Sequence, residues 1–180
     1  MIFYHVDRSN SLKEGQVVTL TKDFRKYPDS YKNVILKLYP EGLSYHGLMY
    51  AILSFEDTDV RSSQEIETIF EFYRQIYFVN KISRFQSFFC FQTLTEAKKF
   101  AKINSEGYPD YKIYEVKVDH DNYFIGDMNL LRGNTAINSY MASHDYWSGG
   151  HSCNPIFEVL VKPPLKILDI VYSEKRKEQI

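Results

Sequence analysis

The sequence predicts an α+β domain: two packed β-sheets with helices outside them. Three observations lead there. Short runs rich in β-branched and aromatic residues recur from Ile2 to Val171, bounded by turn-forming residues. Apolar residues at helical spacing follow Ser62 and Thr93, so helices lie between the strands. The chain is 44% hydrophobic, with 15 Tyr, 13 Phe and one Trp, enough for a ring-rich core. A length of 180 residues suits one domain spanning 1–180.

Ile2–Val6 reads as a strand with Phe3 and His5 on one face and Tyr4 and Val6 on the other. SNSLKEG marks a turn, and Gln16–Thr21 reads as a second short strand. Pro28, Pro40, Gly42 and Gly47 break the next segment into loops, with helical turns expected around Tyr31–Leu38 and Leu48–Leu53. Ser62 and Glu65 fit a capping box. It opens a helix whose expected core stripe is Ile66, Ile69, Phe70, Tyr73, Ile76 and Tyr77, with Glu67, Glu71 and Arg74 on the polar face.

Ser83–Phe91 reads as an aromatic strand. Thr93 and Glu96 form a second capping box, with Leu94, Ala97, Phe100 and Ala101 as the buried stripe of a helix ending near Ile103. SEGYPD reads as a loop, Tyr111–Asp119 as a strictly alternating strand, and NYFIGDMNLL as a further strand, a candidate hairpin partner for it. A helix begins near Thr135, with Ile137, Tyr140, Met141, His144 and Trp147 in register, and Gly149 and Gly150 end it. The tail SEKRKEQI is charged and expected to fray.

The strand starting at Asn154 draws the functional question. Ile156, Glu158 and Leu160 share one face, and Phe157, Val159 and Val161 the other. Glu158 is the one carboxylate in this apolar run, and a buried carboxylate needs a partner. A plainer reading puts it at a sheet edge, facing water.

Several chemistries lack support. No phosphate loop, dinucleotide-fold glycine motif, HExxH or nucleophile elbow occurs. His144 and His151 flank a helix end and a loop, a poor metal pair, so no metal is expected. Cys90 reads as core and Cys153 as a loop residue, with no disulfide framework. A net charge of −1 argues against a large phosphate-tracking surface. The start, MIFYHVDR, is too short for a signal peptide or a membrane span, so a cytoplasmic protein without a membrane partner is expected.

What remains is a distributed set: His5 on the first strand, Ser83, Arg84 and Ser87 on the aromatic strand, and Glu158 behind a glycine-bearing loop. This order resembles the ADP-ribosyltransferase superfamily, and most closely bacterial members of its histidine–tyrosine–glutamate branch. FYHVDRSNSLKEGQ resembles the N-terminus of an uncharacterised bacterial family, and EVLVKPPLKI resembles the EVLV strand of DarT-type DNA-modifying toxins. The resemblance spans most of the chain, through His5–Glu14, Ser83–Ala101 and Tyr146–Ile167.

It implies a split β-sandwich of two small sheets around an NAD cleft, with peripheral helices. His5 would hold the adenosine ribose, and the backbone of Val6, where many relatives carry Gly, would meet the nicotinamide amide. Ser83, Ser87, Phe88 and Phe89 would line the nicotinamide site, and Arg84 or Arg8 would meet the pyrophosphate. Glu158 would be the catalytic carboxylate. No residue matches the family's middle tyrosine clearly.

Ile156 stands where several arginine-directed relatives carry Glu, which disfavours an arginine acceptor. The loop with Trp147, His151, Ser152 and Asn154 would face the acceptor, a nucleic acid or a protein. Family analogy adds a toxin or phage-defence role and an antitoxin or inhibitor protein as partner. Two other functions fit the same residues: an NAD glycohydrolase, and an inactive nucleotide-binding module. Each residue also has a plainer reading: His5 as a satisfied core histidine, Arg84 stacked on rings, Ser87 as packing, and the acceptor loop as merely polar.

Overall fold

The computed structural model describes residues 1–52, 58–103, 110–133 and 135–175. In chain order the elements are β1 (Ile2–Asp7), β2 (Val17–Val18), α1 (Asp29–Leu38), α2 (Tyr45–Ala51), α3 (Thr58–Tyr77), a 3-10 turn (Arg84–Gln86), β3 (Phe88–Cys90), α4 (Leu94–Ile103), β4 (Asp110–Lys117), β5 (Tyr123–Asp127), a 3-10 turn (Met128–Leu130), α5 (Ala136–Ser148), β6 (Phe157–Val161) and β7 (Leu165–Lys175). The strands form a four-stranded sheet, β1-β4-β7-β2, and a three-stranded sheet, β3-β6-β5. This corrects the candidate hairpin of β4 with β5: the chain crosses between sheets after β4, and β5 pairs with β6 instead. All strand pairs are antiparallel. The class is therefore α+β, with two antiparallel sheets and peripheral helices, as expected.

Among the described residues one bridge ties the sheets: Tyr4 and Phe91 exchange backbone hydrogen bonds of 2.9 and 2.7 Å. Side-chain alternation then sorts the core. Val159 and Val161 of β6 face the other sheet and meet Phe3, Cys90, Tyr114, Val116 and Ile167. Leu160 points the opposite way, onto Phe70 of α3 and Tyr146 and Trp147 of α5. Glu158 shares the face of Leu160, so it enters the helix layer rather than the packed space between the sheets. The helix side of β6, not the space between the sheets, therefore holds Glu158.

Several helix boundaries follow local chemistry. Thr93 Oγ1 accepts from Glu96 N–H at 3.2 Å, and Glu96 Oε2 accepts from Thr93 N–H at 3.0 Å, the reciprocal box that opens α4. Thr135 caps α5. Gly149 ends it in the left-handed conformation (φ 86°), where its N–H reaches the carbonyls of Asp145 and Tyr146. α3 begins at Thr58, earlier than a box at Ser62 requires, and the Ser62 side chain lies outside the described residues. The predicted strand Ser83–Phe91 is interrupted because Ser83 Oγ accepts from Phe85 N–H (3.1 Å), which winds a 3-10 turn before β3. Of the expected loop at Ser105–Asp110 only Asp110 is described, and it opens β4. The tail is strand as far as Lys175, and 176–180 lie outside the described residues.

α3 buries part of both its faces. Phe70 and Tyr73 of the expected stripe are buried, but so are Glu67, Glu71 and Arg74 of the expected polar face, whereas Ile76 and Tyr77 are exposed. Glu71 explains part of this: it receives Arg74 Nη2 at 2.8 Å, Tyr39 OH at 3.3 Å and Gln75 Nε2 at 3.2 Å. On α5, Ile137, Tyr140 and Met141 are likewise exposed, and Ser139, Ser143, Tyr146 and Trp147 point inward. No helix among the described residues is long and apolar enough to cross a membrane.

Candidate functional site

A buried ionic cluster lies where α3, α5 and the Arg84 turn meet β6. Arg84 is 2% exposed. Its Nε and Nη2 donate to the two oxygens of Glu67, both at 2.7 Å, a fork that suits a planar guanidinium. Its Nη1 donates to Tyr146 OH (2.7 Å) and to Glu158 Oε1. Tyr146 OH in turn donates to Glu158 Oε1 (2.7 Å). The guanidinium also lies 4.9 Å from the Phe89 ring centre, a cation–π arrangement.

Glu158 is 2% exposed. Its Oε1 accepts twice, and no described residue donates to Oε2. Two carboxylates share one guanidinium, so −2 and +1 leave a net charge of −1 in the cluster. His46 sits at its edge. The ring lies 4.4 Å from Phe89 and 4.5 Å from Tyr50, with Nε2 3.3 Å from Glu67 Oε2 but not aligned as a hydrogen bond. Burial opposes ionisation of Glu67, yet Arg84, followed by His46, outweighs it and holds this carboxyl well below its usual range. Burial acts against the charge on Arg84 as well, but Glu158 and Glu67 hold it protonated. The Tyr146 hydroxyl stays neutral: burial raises its pKa, and Arg84 opposes that only in part.

Gly126 makes this contact possible. It is the direct cross-strand partner of Glu158, and a Cβ there would stand 2.4 Å from the Tyr146 ring. Without one, the ring lies over β5 and reaches the carboxylate.

His5 belongs to a neighbouring group. Its Nδ1 lies 2.7 Å from Phe89 O, so this nitrogen carries the proton and donates. The ring packs on Phe88 at 4.2 Å. Burial lowers the pKa of His5, opposed in part by the Phe89 carbonyl, which favours the neutral ring with Nε2 as an acceptor. Tyr4 turns its backbone groups toward Phe91, and alternation along β1 turns those of Val6 to the same edge. The two groups meet at β3: Phe88 and His5 lie on its inter-sheet side, Phe89, Arg84 and Glu158 on its helix side.

The remaining expected residues divide. Ser83 and Ser87 are buried and brace the turn, Ser87 Oγ donating to Ser83 O at 2.7 Å. Arg8 lies over the Phe100 ring of α4 at 5.8 Å. Trp147 is a correction: it is fully buried in α5, with its indole N–H donating to Phe70 O (2.9 Å), so no acceptor base can stack on it. His151 and Asn154 are exposed on the loop before β6. That loop is held by Asp127, whose Oδ2 accepts from Ser152 N–H (2.7 Å) and whose Oδ1 accepts from Ile156 and Asn129 N–H (2.9 and 3.0 Å). Burial opposes the charge of Asp127, and these donors overcome it to lower the pKa.

Sequence reasoning missed Glu67, Tyr146, His46, Gly126 and Asp127. One signal pointed to Glu67: a buried Arg in an aromatic run needs a carboxylate, and Glu67 stands in line with Glu71 and Arg74 on α3. None of the curated proteins matches the sequence. A family model described as a protein of unknown function (DUF2441) matches residues 3–173, nearly the whole described fold, and the chain belongs to that family.

Proposed function

We propose that the chain is an NAD-dependent ADP-ribosyltransferase with Glu158 as its catalytic carboxylate. The observation that carries the reading is the anionic cluster: Glu158 is oriented by Arg84 and Tyr146, keeps Oε2 clear of hydrogen bonds from described residues, and belongs to a group with a net charge of −1. The resemblance to the histidine–tyrosine–glutamate branch supplies the substrate, and a split β-sandwich with an NAD cleft is the form of α+β fold that it implies.

Cleavage breaks the bond between nicotinamide and ribose C1′. Nicotinamide leaves neutral with the bonding pair, and positive charge develops on the ribose, as in glycoside cleavage. A preoriented carboxylate stabilises that charge more than the ground state. The acceptor attacks C1′ from the opposite face and gives up its proton. Neutral His5, with Nε2 as acceptor, suits a ribose hydroxyl, and the Val6 backbone edge suits an amide. His151 and Asn154, exposed beside β6, face the acceptor, a nucleic acid or a protein. A toxin or phage-defence role in the cytoplasm, with an antitoxin or inhibitor protein as partner, is the biological form of this proposal.

Burial favours a second reading. With Glu158 at 2% exposure and Arg84 fully partnered, the cluster also suits the structural core of an inactive nucleotide-binding module. Incubation of the folded protein with NAD labelled in the adenylate separates the outcomes. Label on a macromolecule supports transfer, free ADP-ribose alone makes the protein an NAD glycohydrolase, and no turnover leaves the inactive module.

A further inference from the structure

A cavity of about 290 Å³ opens between the end of α3, the Arg84 turn, the β4–β5 turn and the residue after β6. Its lining carries the side chains of Arg74, Lys81, Lys162, Asn80, Asn122 and Gln86, and no carboxylate. We propose that it binds a phosphomonoester of about sugar-phosphate size.

The charges differ in what they can do. Arg74 is spent: it pairs with Glu71 and donates Nη1 to Lys81 O at 3.0 Å, so it forms a fixed wall whose charge is already met. Lys81 makes no ion pair among the described residues, and its ammonium rests 4.7 Å above the Phe124 ring centre. Lys162 pairs with Glu41, whose side chain is 61% exposed, so an incoming anion can take that place. Two lysines from separate segments thus line one space, and their two charges match the double charge of a phosphomonoester.

The amides fit the rest of such a ligand. No described residue bonds the side chains of Asn80 or Asn122, and each offers both donors and an acceptor to sugar hydroxyls. Gln86 is fixed at the cavity wall by Nε2 donating to Gly42 O at 2.9 Å. The volume falls just under the range of small-molecule sites, about 300–1,000 Å³, and is more than one phosphate needs. Ser83 and Gln86 line this cavity and also flank Arg84, so the site adjoins the ionic cluster from its outer side.

The test is a calorimetric and amide-shift titration of the full chain with ribose 5-phosphate, against ribose and against sodium chloride at equal ionic strength. Saturable binding of ribose 5-phosphate, with shifts at the backbone amides of Lys81, Ser83 and Gln86 and the side-chain amide of Asn122, is expected. Ribose should leave these signals in place. Lys81 and Asn122 are exposed, so Lys81→Met and Asn122→Ala keep the fold. Lys81→Met should weaken binding by about tenfold, and Asn122→Ala by about threefold. Shifts reproduced by sodium chloride, shifts centred elsewhere, or unchanged affinity in Lys81→Met would overturn the proposal.

Discussion

Replacing Arg84 by Met tests whether the cluster is wired as described. Met keeps most of the apolar stem but removes the guanidinium from between Glu67 and Glu158. Both carboxylates are buried, so neither can turn to water in place. Breaking a buried ion pair from one side costs about 3–5 kcal/mol. The two pairs share one cation and are not additive, so the whole loss is expected in that same range of about 3–5 kcal/mol. For a domain of this size it lowers Tm by roughly 2–4 °C per kcal/mol.

The pH dependence should also change sign at this site. In the wild type Glu67 has a lowered pKa, so its contribution is present above its ordinary 4.5 and lost as pH falls below it. Without Arg84, burial dominates and raises the Glu67 carboxyl. Its contribution is then present below the unfolded value and lost as pH rises through the raised one. Urea unfolding at pH 5 and pH 8 reads both effects. A loss below about 1 kcal/mol at pH 8 with an unchanged pH slope would refute the reasoning. Adding Glu67→Gln and Glu158→Gln to Arg84→Met should restore most of the stability, because no unpaired charge then remains in this cluster.

Three further outcomes follow from single contacts. Gly126→Ala forces a methyl against the Tyr146 ring and should cost about 2–3 kcal/mol by urea unfolding, the range for overpacking a tight site. His5→Gln should flatten the stability profile between pH 7 and pH 5 relative to wild type. The unfolded histidine gains a proton near 6.5 while the buried ring resists it, so wild-type stability falls as pH drops through that window. Thr93→Ala removes one half of the α4 capping box and should cost about 1 kcal/mol in thermal unfolding.

The fold was legible where the controlling interactions are local. Thr93 with Glu96 and Gly149 after Ser148 mark helix ends through contacts within one turn. The alternation that set Glu158 beside Leu160 and opposite Val159 also needed only neighbouring residues. The faces of α3 were legible only in part. Phe70 and Tyr73 reach the core as their spacing suggests, but Ile76 and Tyr77 stay exposed, and the burial of Glu67 and Glu71 follows from Arg84 and Tyr39, which are distant in sequence. Ser83 misled for a smaller reason: one side-chain bond to Phe85 N–H outweighed the strand propensity of the rings around it. At the site, Glu158 and Arg84 were singled out from the chain, but their bond, and the Tyr146 hydroxyl that joins them, depend on α5 packing over Gly126.

Glu158→Gln measures the central claim most directly. Gln keeps an acceptor for Arg84 and Tyr146 and removes the excess negative charge, so Tm should hold or rise slightly. The account predicts that release of ADP-ribose from labelled NAD, to an acceptor or to water, falls by about two to three orders of magnitude while NAD affinity changes little. Undiminished turnover in the folded variant, or none in the wild type, would contradict it.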